Sequence, residues 1–221
     1  GRYFNDAMDR MTEVEFHLAQ RQDAMVLFNE AAPDRVRHDL VRLPGVRTAE
    51  TFRVLPVRLV NGPLARRTSV MGLSRTGELR RLVDLSRRPV PMPADGLVLN
   101  DRLAARLGVG IGDSVTVEVL EGRRLVRRLP VTRIFREAIG TLAYADASVI
   151  RRLSGEAPLA SGAFLATDAA SEAALAARLK ALPRVAGVSF RRTLIESFEA
   201  TLAESMGIST MVLTAFASVI A

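Results

Sequence analysis

Ala24–Arg53, AMVLFNEAAPDRVRHDLVRLPGVRTAETFR, reads as an apolar strand, a helix with Val36, Leu40 and Leu43 on one face, a Leu-Pro-Gly-Val stop and a second strand. The plan recurs in Gly162–Arg192, GAFLATDAASEAALAARLKALPRVAGVSFRR. There Asp168 is placed to cap a helix whose apolar face is Leu175, Leu179 and Leu182. The helix ends match: Leu40-x-x-Leu43-Pro44-Gly45-Val46 against Leu179-x-x-Leu182-Pro183-Arg184-Val185. Proline cannot continue a helix and drives the preceding residue toward extended geometry, so each site stops a helix and launches a strand. Two such units on one sheet predict an α+β fold, a split ferredoxin-like βαβ-βαβ sandwich with right-handed crossovers.

Between the repeats lies an insertion of another kind, residues 61–155. Its short strand patterns are Arg66–Leu73, Leu97–Leu99, Ser114–Leu120, Arg124–Phe135 and Thr141–Tyr144, punctuated by turns at Asn61-Gly62-Pro63, Pro89–Gly96 and Glu121-Gly122. One short helix interrupts them. Asn100 or Asp101 caps it, Leu103, Ala104 and Leu107 form its buried face, and Gly108 sits where a left-handed terminator is wanted. Gly112 and Asp113 then turn the chain into Ser114–Val119, where three valines share one face.

The two ends differ from the middle. Residues 205–221, SMGISTMVLTAFASVIA, carry no charge and approach the roughly 17–20 apolar residues of a membrane span, so they read as a truncated transmembrane helix. Before them, Leu194, Phe198 and Leu202 keep an i, i+4 stripe beside Glu196, Glu199 and Glu204, the pattern of a stalk helix. At the other end Phe4, Ala7, Met8 and Met11 make one helical face, and Asn5, Asp6, Asp9 and Arg10 the other. The chain opens on Gly1 with no signal-peptide pattern, which reads as a piece of something longer. The organisation expected is therefore a stalk helix and first strand over 1–21 and a first βαβ unit over 22–60. The β-rich insertion over 61–155, a second βαβ unit over 156–192 and a stalk entering a membrane over 193–221 follow.

This order of pieces resembles the extracytoplasmic domain of FtsX-like ABC transporter permeases, the MacB and lipoprotein-export group. The resemblance is carried by Leu43-Pro44-Gly45-Val46, Asp95-Gly96-Leu97-Val98-Leu99-Asn100, Leu107-Gly108-Val109 and Gly112-Asp113-Ser114-Val115, in sequence order. It implies that the βαβ units form a "porter" part, the insertion a "sabre" part, and the flanking helices the start of transmembrane helices. It also implies a bacterial inner-membrane location with this domain on the periplasmic side, no catalysis and no cofactor in the chain, and a cytoplasmic ABC ATPase as partner. A second permease protomer and a lipid, lipoprotein or envelope protein are further partners that it allows. Coupling of membrane-helix motion to export or extraction of an amphipathic substrate is the expected role; mechanical regulation of an envelope partner such as a cell-wall hydrolase is the alternative.

Composition and motifs exclude more than they assign. With 221 residues, 48% hydrophobic and 25% charged, and a mean hydropathy of +0.16, the chain is too apolar for disorder. It has no Cys, so disulfides and thiolate chemistry are absent. No Gly-x-x-x-x-Gly-Lys loop occurs, so ATP hydrolysis belongs to another chain. Gly108-Val109-Gly110-Ile111-Gly112 follows a helix and precedes a strand, the reverse of a dinucleotide fingerprint. His17 and His38 fall on different elements and read as surface residues, and Ser154-Gly155-Glu156 and Ser161-Gly162 read as turns.

The net charge of +7, with a pI near 11.1, raises nucleic acid as a partner. Thirty of the 31 basic residues are Arg, the exception being Lys180. Their distribution is uneven: residues 1–60 hold 9 basic and 9 acidic groups, 61–155 hold 17 and 9, and 156–221 hold 5 and 6. The excess therefore sits in the insertion. With 5% aromatics, no Trp and no reader motif, no nucleic-acid partner is expected. Neighbours on a strand point to opposite faces, so the doublets Arg66-Arg67, Arg123-Arg124 and Arg127-Arg128 read first as solvated faces. The alternative reading makes Arg66, Arg67, Arg123, Arg124, Arg127 and Arg128 a docking surface for an acidic partner or anionic headgroups. Pro44, Gly45, Gly108, Gly112, Asp113 and Pro183 are structural turn residues, and no catalytic or metal-binding residue is assigned.

Overall fold

The computed structural model describes residues 19–137, 140–197 and 200–201. The N-terminal stalk face of Phe4 to Met11, His17, Phe198, Leu202 and the apolar run 205–221 lie outside the described residues. Among those described, no helix is long and apolar enough to cross a membrane.

The first repeat forms β1 (Ala24–Pro33), α1 (Val36–Val41) and β2 (Val46–Asn61). The second forms β10 (Leu159–Thr167), α4 (Glu172–Lys180) and β11 (Val185–Phe190). Their strands lie in the order β11-β1-β10-β2, every neighbouring pair antiparallel. Val36 and Leu40 of α1 and Leu175 and Leu179 of α4 are buried against Ala24, Val26, Ala49, Ala163 and Leu165. Both helices thus cover the face that carries these alternate positions of each strand, while Phe52 and Phe164 on the opposite face join a separate cluster with Phe135 and Tyr144. Two details depart from the sequence. Asp168 makes no side-chain cap: a 3-10 turn, Ala169–Ser171, precedes α4, and the Asp168 carboxylate lies 3.4 Å from Arg47 Nε. Leu182 falls beyond the helix end and is exposed.

The region between the repeats adds β3 (Leu64–Leu73), β4 (Leu82–Val83), β5 (Pro89–Val90) and β6 (Leu97–Asn100). These are followed by α2 (Asp101–Leu107), β7 (Ser114–Val119), β8 (Val126–Phe135), β9 (Ala143–Asp146) and α3 (Ala147–Ser154). Strands pair in the circle β2-β3-β9-β6-β8-β7 and back to β2, so this part closes into a six-stranded barrel. Closure removes the free edges that so many short strands would otherwise expose. Its interior holds Leu55, Val57, Leu59, Val70, Leu97, Leu99, Val115, Val117 and Val131. Leu103 and Leu107 of α2 and Val149, Ile150 and Leu153 of α3 complete it. Each fully buried Val or Leu contributes about 1.5–3 kcal/mol relative to exposure, which favours the closed form.

The helix α3 is an element that the strand reading of the insertion does not contain. Asp146 caps it by accepting from the Ser148 backbone N–H at 3.1 Å, and Gly155, at φ 65°, ends it. At the other chain end, residues 191–197 are helical and begin directly after β11.

Candidate functional site at the sheet–barrel junction

The strand β2 is 16 residues long and belongs to both layers. Through Phe52 it pairs with β10, Phe52 lying opposite Gly162; from Arg53 onward it pairs with β3, Arg53 lying opposite Gly72. The hand-off is locked by the Arg53 side chain, which is only 13% exposed. Its Nη1 donates to Ser161 Oγ at 3.0 Å and to the Val54 carbonyl at 3.1 Å. Its Nη2 donates to Glu121 in the β7–β8 turn and lies 3.9 Å from Glu156, which follows α3. A buried guanidinium is tolerated only with such a full set of partners, so sheet, barrel turn and α3 are fixed to one another through this residue.

Beside the hand-off lies a cleft of about 480 Å³. Its walls are Asp34 and Arg37 at the start of α1, Ser74, Thr76 and Gly77 after β3, and Ile150 and Arg151 of α3. The floor is the consecutive run Ala49–Arg53 of β2. Asp34 accepts from the Thr51 hydroxyl. Glu50 accepts from the backbone N–H groups of Glu78 at 2.8 Å and Leu79 at 3.1 Å, holding the loop after β3 in place.

A second node gathers the two ends of the described chain. Asp23 Oδ1 lies 3.2 Å from an Arg191 guanidinium nitrogen, and Oδ2 accepts from the Thr167 backbone N–H at 2.8 Å and lies 3.5 Å from Arg47. The Arg191 backbone N–H donates to the Asp23 carbonyl at 2.8 Å. The segment entering β1 and the helix leaving β11 therefore meet at one carboxylate.

Under the barrel, the buried Tyr144 hydroxyl donates to the Glu137 carboxylate among Phe52, Phe135, Phe164 and Leu82. Burial, and secondarily the Glu137 charge, pushes the Tyr144 phenol well above its ordinary value, with Arg80 opposing.

The six arginines of the doublets Arg66-Arg67, Arg123-Arg124 and Arg127-Arg128 are exposed but do not share one face. Arg67 lies opposite Arg58, and Arg128 opposite Thr116, on the outer side of the barrel. Arg66 and Arg127 take the register positions of Leu59 and Val117, whose side chains point inward. Arg123 donates to the Gly155 carbonyl at 3.3 Å, and Arg124 sits in the β7–β8 turn at φ 52°. Arg58 is balanced by Glu118 at 2.9 Å. His38 is exposed on α1.

The turn residues occupy the connections. Pro44 and Gly45 link α1 to β2, and the Pro183 carbonyl accepts from the Asn29 amide at 2.8 Å. Gly108 is the left-handed terminus of α2. The Gly112 N–H donates to the Val131 carbonyl at 2.8 Å, and the Asp113 carbonyl accepts from the Val131 N–H at 2.7 Å. Among the described residues no group of three His, Asp or Glu is placed to hold a metal ion.

Neither a family model nor a curated protein matches the sequence. The fold is similar to solved structures. The periplasmic region of MacB from Actinobacillus actinomycetemcomitans aligns with a TM-score of 0.50 at 13% identity, over 86% of this chain and 98% of that one. The extracellular domain of the noncanonic ABC-type transporter YknZ from Gram-positive bacteria aligns at 0.47 and 11% identity, over 70% and 88%. A domain of a putative permease from Porphyromonas gingivalis aligns at 0.43 and 11% identity, over 75% and 81%. In fold, the chain is similar to the periplasmic region of MacB.

Proposed function

We propose that this chain is the extracytoplasmic domain of an ABC transporter permease, a non-catalytic part that couples movement of membrane helices to export or extraction of an amphipathic substrate. The observation that carries the reading is the fold shared with the MacB periplasmic region across 98% of that chain. The sheet order β11-β1-β10-β2, with two helices on one face, supports the split ferredoxin-like porter over residues 22–60 and 156–192. The barrel, apart from the Arg53–Val60 stretch of β2 that it shares with the porter, then corresponds to the sabre over 61–155. Segments 1–21 and 193–221 are the stalks, the latter running into the membrane helix. The meeting of both stalk-side ends at Asp23 supports a mechanical role, since a hinge movement of either end reaches the sheet through one ion pair. A relay of force to an envelope partner would use the same node.

In this reading ATP is hydrolysed by a cytoplasmic ABC ATPase reached through the membrane part, the domain faces the periplasm of the inner membrane, and the domain itself holds no cofactor. The test is to express the chain with its natural flanking sequence and the ATPase encoded beside it. The domain should resist protease in intact cells, be cleaved once the outer membrane is opened, and copurify with the ATPase from detergent-solubilised inner membranes. A chain that fractionates as soluble cytoplasmic protein, or binds duplex DNA in a salt-dependent manner, would overturn it.

A further inference from the structure

The cleft beside the sheet–barrel junction has an unusual floor. Five consecutive residues of β2, Ala49–Arg53, line it. Successive side chains of a strand point to opposite faces, so a cleft on one face would collect every second residue; an unbroken run means that the cleft follows the strand's edge. The pairing agrees. Over Val46–Phe52, β2 pairs only with β10, and β3 joins its other side only from Arg53.

The direction of the backbone groups follows from their fixed partners. Val54 N–H meets Ser161 Oγ on the β10 side at 2.9 Å, and the Pro56 carbonyl accepts from Leu120 on the β7 side at 2.9 Å. Alternation then turns the N–H and C=O of Ala49 and Thr51 toward the cleft, Thr51 half-buried at its mouth and Ala49 buried deeper in it. Thr48–Phe52 contains no proline or lysine, two common devices for blunting an open edge.

The charges in the cleft are unequal in their commitments. Asp34 is engaged by Thr51, Glu50 by two backbone N–H groups, and Arg53 by its carboxylate partners. Arg37 and Arg151, exposed on opposite walls, have no side-chain hydrogen bond or ion pair among the described residues. Asp34 and Glu50 keep their negative charge, but their oxygens already accept from these donors, so the side chains left to take up an ionic partner are the two arginines on opposite walls.

We propose that the edge of β2 at Ala49–Phe52 is a β-addition site, which takes an extended segment of a partner protein carrying acidic side chains. The main-chain ladder supplies affinity through Ala49 and Thr51, and Arg37 and Arg151 select acidic side chains along it. The inference goes beyond the permease reading and does not need it.

The test uses the ¹⁵N-labelled 221-residue chain and a capped hexapeptide of alternating valine and glutamate. Titration should shift the Ala49 and Thr51 amides saturably and slow their hydrogen exchange. A valine–lysine hexapeptide should bind at least tenfold more weakly. The double variant R37E/R151E should lose the same factor for the glutamate peptide while keeping its circular dichroism spectrum. N-methylation of alternate peptide amides should abolish binding, an arm that needs no variant of the protein. No change at Ala49 and Thr51 up to millimolar peptide, or equal binding of the N-methylated peptide, overturns the proposal. So does protection of these amides that grows with protein concentration alone, which would make a second copy the occupant, or identical shifts with inorganic phosphate, which would make the cleft a small-anion site.

Discussion

Asp23 and Arg191 stand 168 positions apart and pair at 3.2 Å, the Arg191 N–H reaching back to the Asp23 carbonyl as well. The carboxylate also accepts from the buried Thr167 backbone, so it serves two elements at once. Asp23→Ala removes a charge-assisted acceptor and leaves the Thr167 N–H without that partner, which should cost about 1–3 kcal/mol. Urea denaturation should show the midpoint falling without a change in slope. Asp23→Asn, which keeps an oxygen for Thr167, should lose less. In the transporter proposed above, Asp23→Ala should uncouple ATP hydrolysis from transport more than it lowers either subunit's abundance.

Gly72 on β3 packs tightly against α3: a Cβ there would lie 2.4 Å from Ile150 Cγ1. Gly72→Ala should therefore push α3 outward at a cost of about 1–3 kcal/mol. Ile150→Ala alone opens a cavity and should cost about 2–5 kcal/mol. The double variant should be more stable than the sum of the two losses, because the new methyl group occupies space that the isoleucine vacates. Additive losses in a thermal-denaturation cycle would mean that the two positions do not press on each other.

What could be read from the sequence is what is encoded locally. The stops at Pro44 and Pro183 and the valine alternation of β7 span a few residues each and are legible from side-chain chemistry alone. The signal for α3 is equally local, Asp146 as cap, Val149, Ile150 and Leu153 as apolar face and Gly155 as stop, but it spans only about two turns directly after the strand pattern Thr141–Tyr144. Barrel closure is different in kind. Nothing near Val57–Val60 says that Thr116–Val119 will pair with it, because the pairing is decided by how six strands share one interior. The junction was hidden for the same reason: Arg53, Glu121, Glu156 and Ser161 are ordinary residues until the fold makes them neighbours. The Arg doublets were conspicuous in sequence, yet the pleat distributes them over different sides of the barrel.

Gly108 ends α2 at φ 63°, its N–H shared between the Ala104 and Ala105 carbonyls, and the Val109 N–H also returns to Ala104. A β-branched side chain in this left-handed conformation meets its own backbone, and its Cβ would also lie 3.3 Å from Leu64. Gly108→Val should destabilise the chain by about 1 kcal/mol or more, and Gly108→Asn, which tolerates the conformation, by less. Chemical denaturation of the three proteins gives the order; a neutral valine variant would mean that the helix ends elsewhere.

Tyr144 gives the fold a pH dependence with a defined sign. Its phenol is buried and bonded to Glu137, and both burial and that neighbouring charge favour the protonated form, so its pKa is raised in the folded state above the unfolded value near 10. Below about pH 10 the phenol is protonated in both states and its contribution is fully present. Above that, the unfolded chain releases the proton while the folded one keeps it, so the unfolded state is favoured and stability falls as pH rises. Tyr144→Phe should be less stable at pH 7, by about 1–3 kcal/mol, because Glu137 loses a donor inside an apolar cluster. The same variant should lose part of the wild-type decline between pH 9 and about 11. The chain has two tyrosines and no tryptophan, so phenolate absorbance follows the event directly. One phenol should titrate only as the protein unfolds, and that delayed component should be missing from Tyr144→Phe. A Tyr144 that ionises at its ordinary pH while the far-ultraviolet spectrum is still native would show that the Glu137 contact does not hold it.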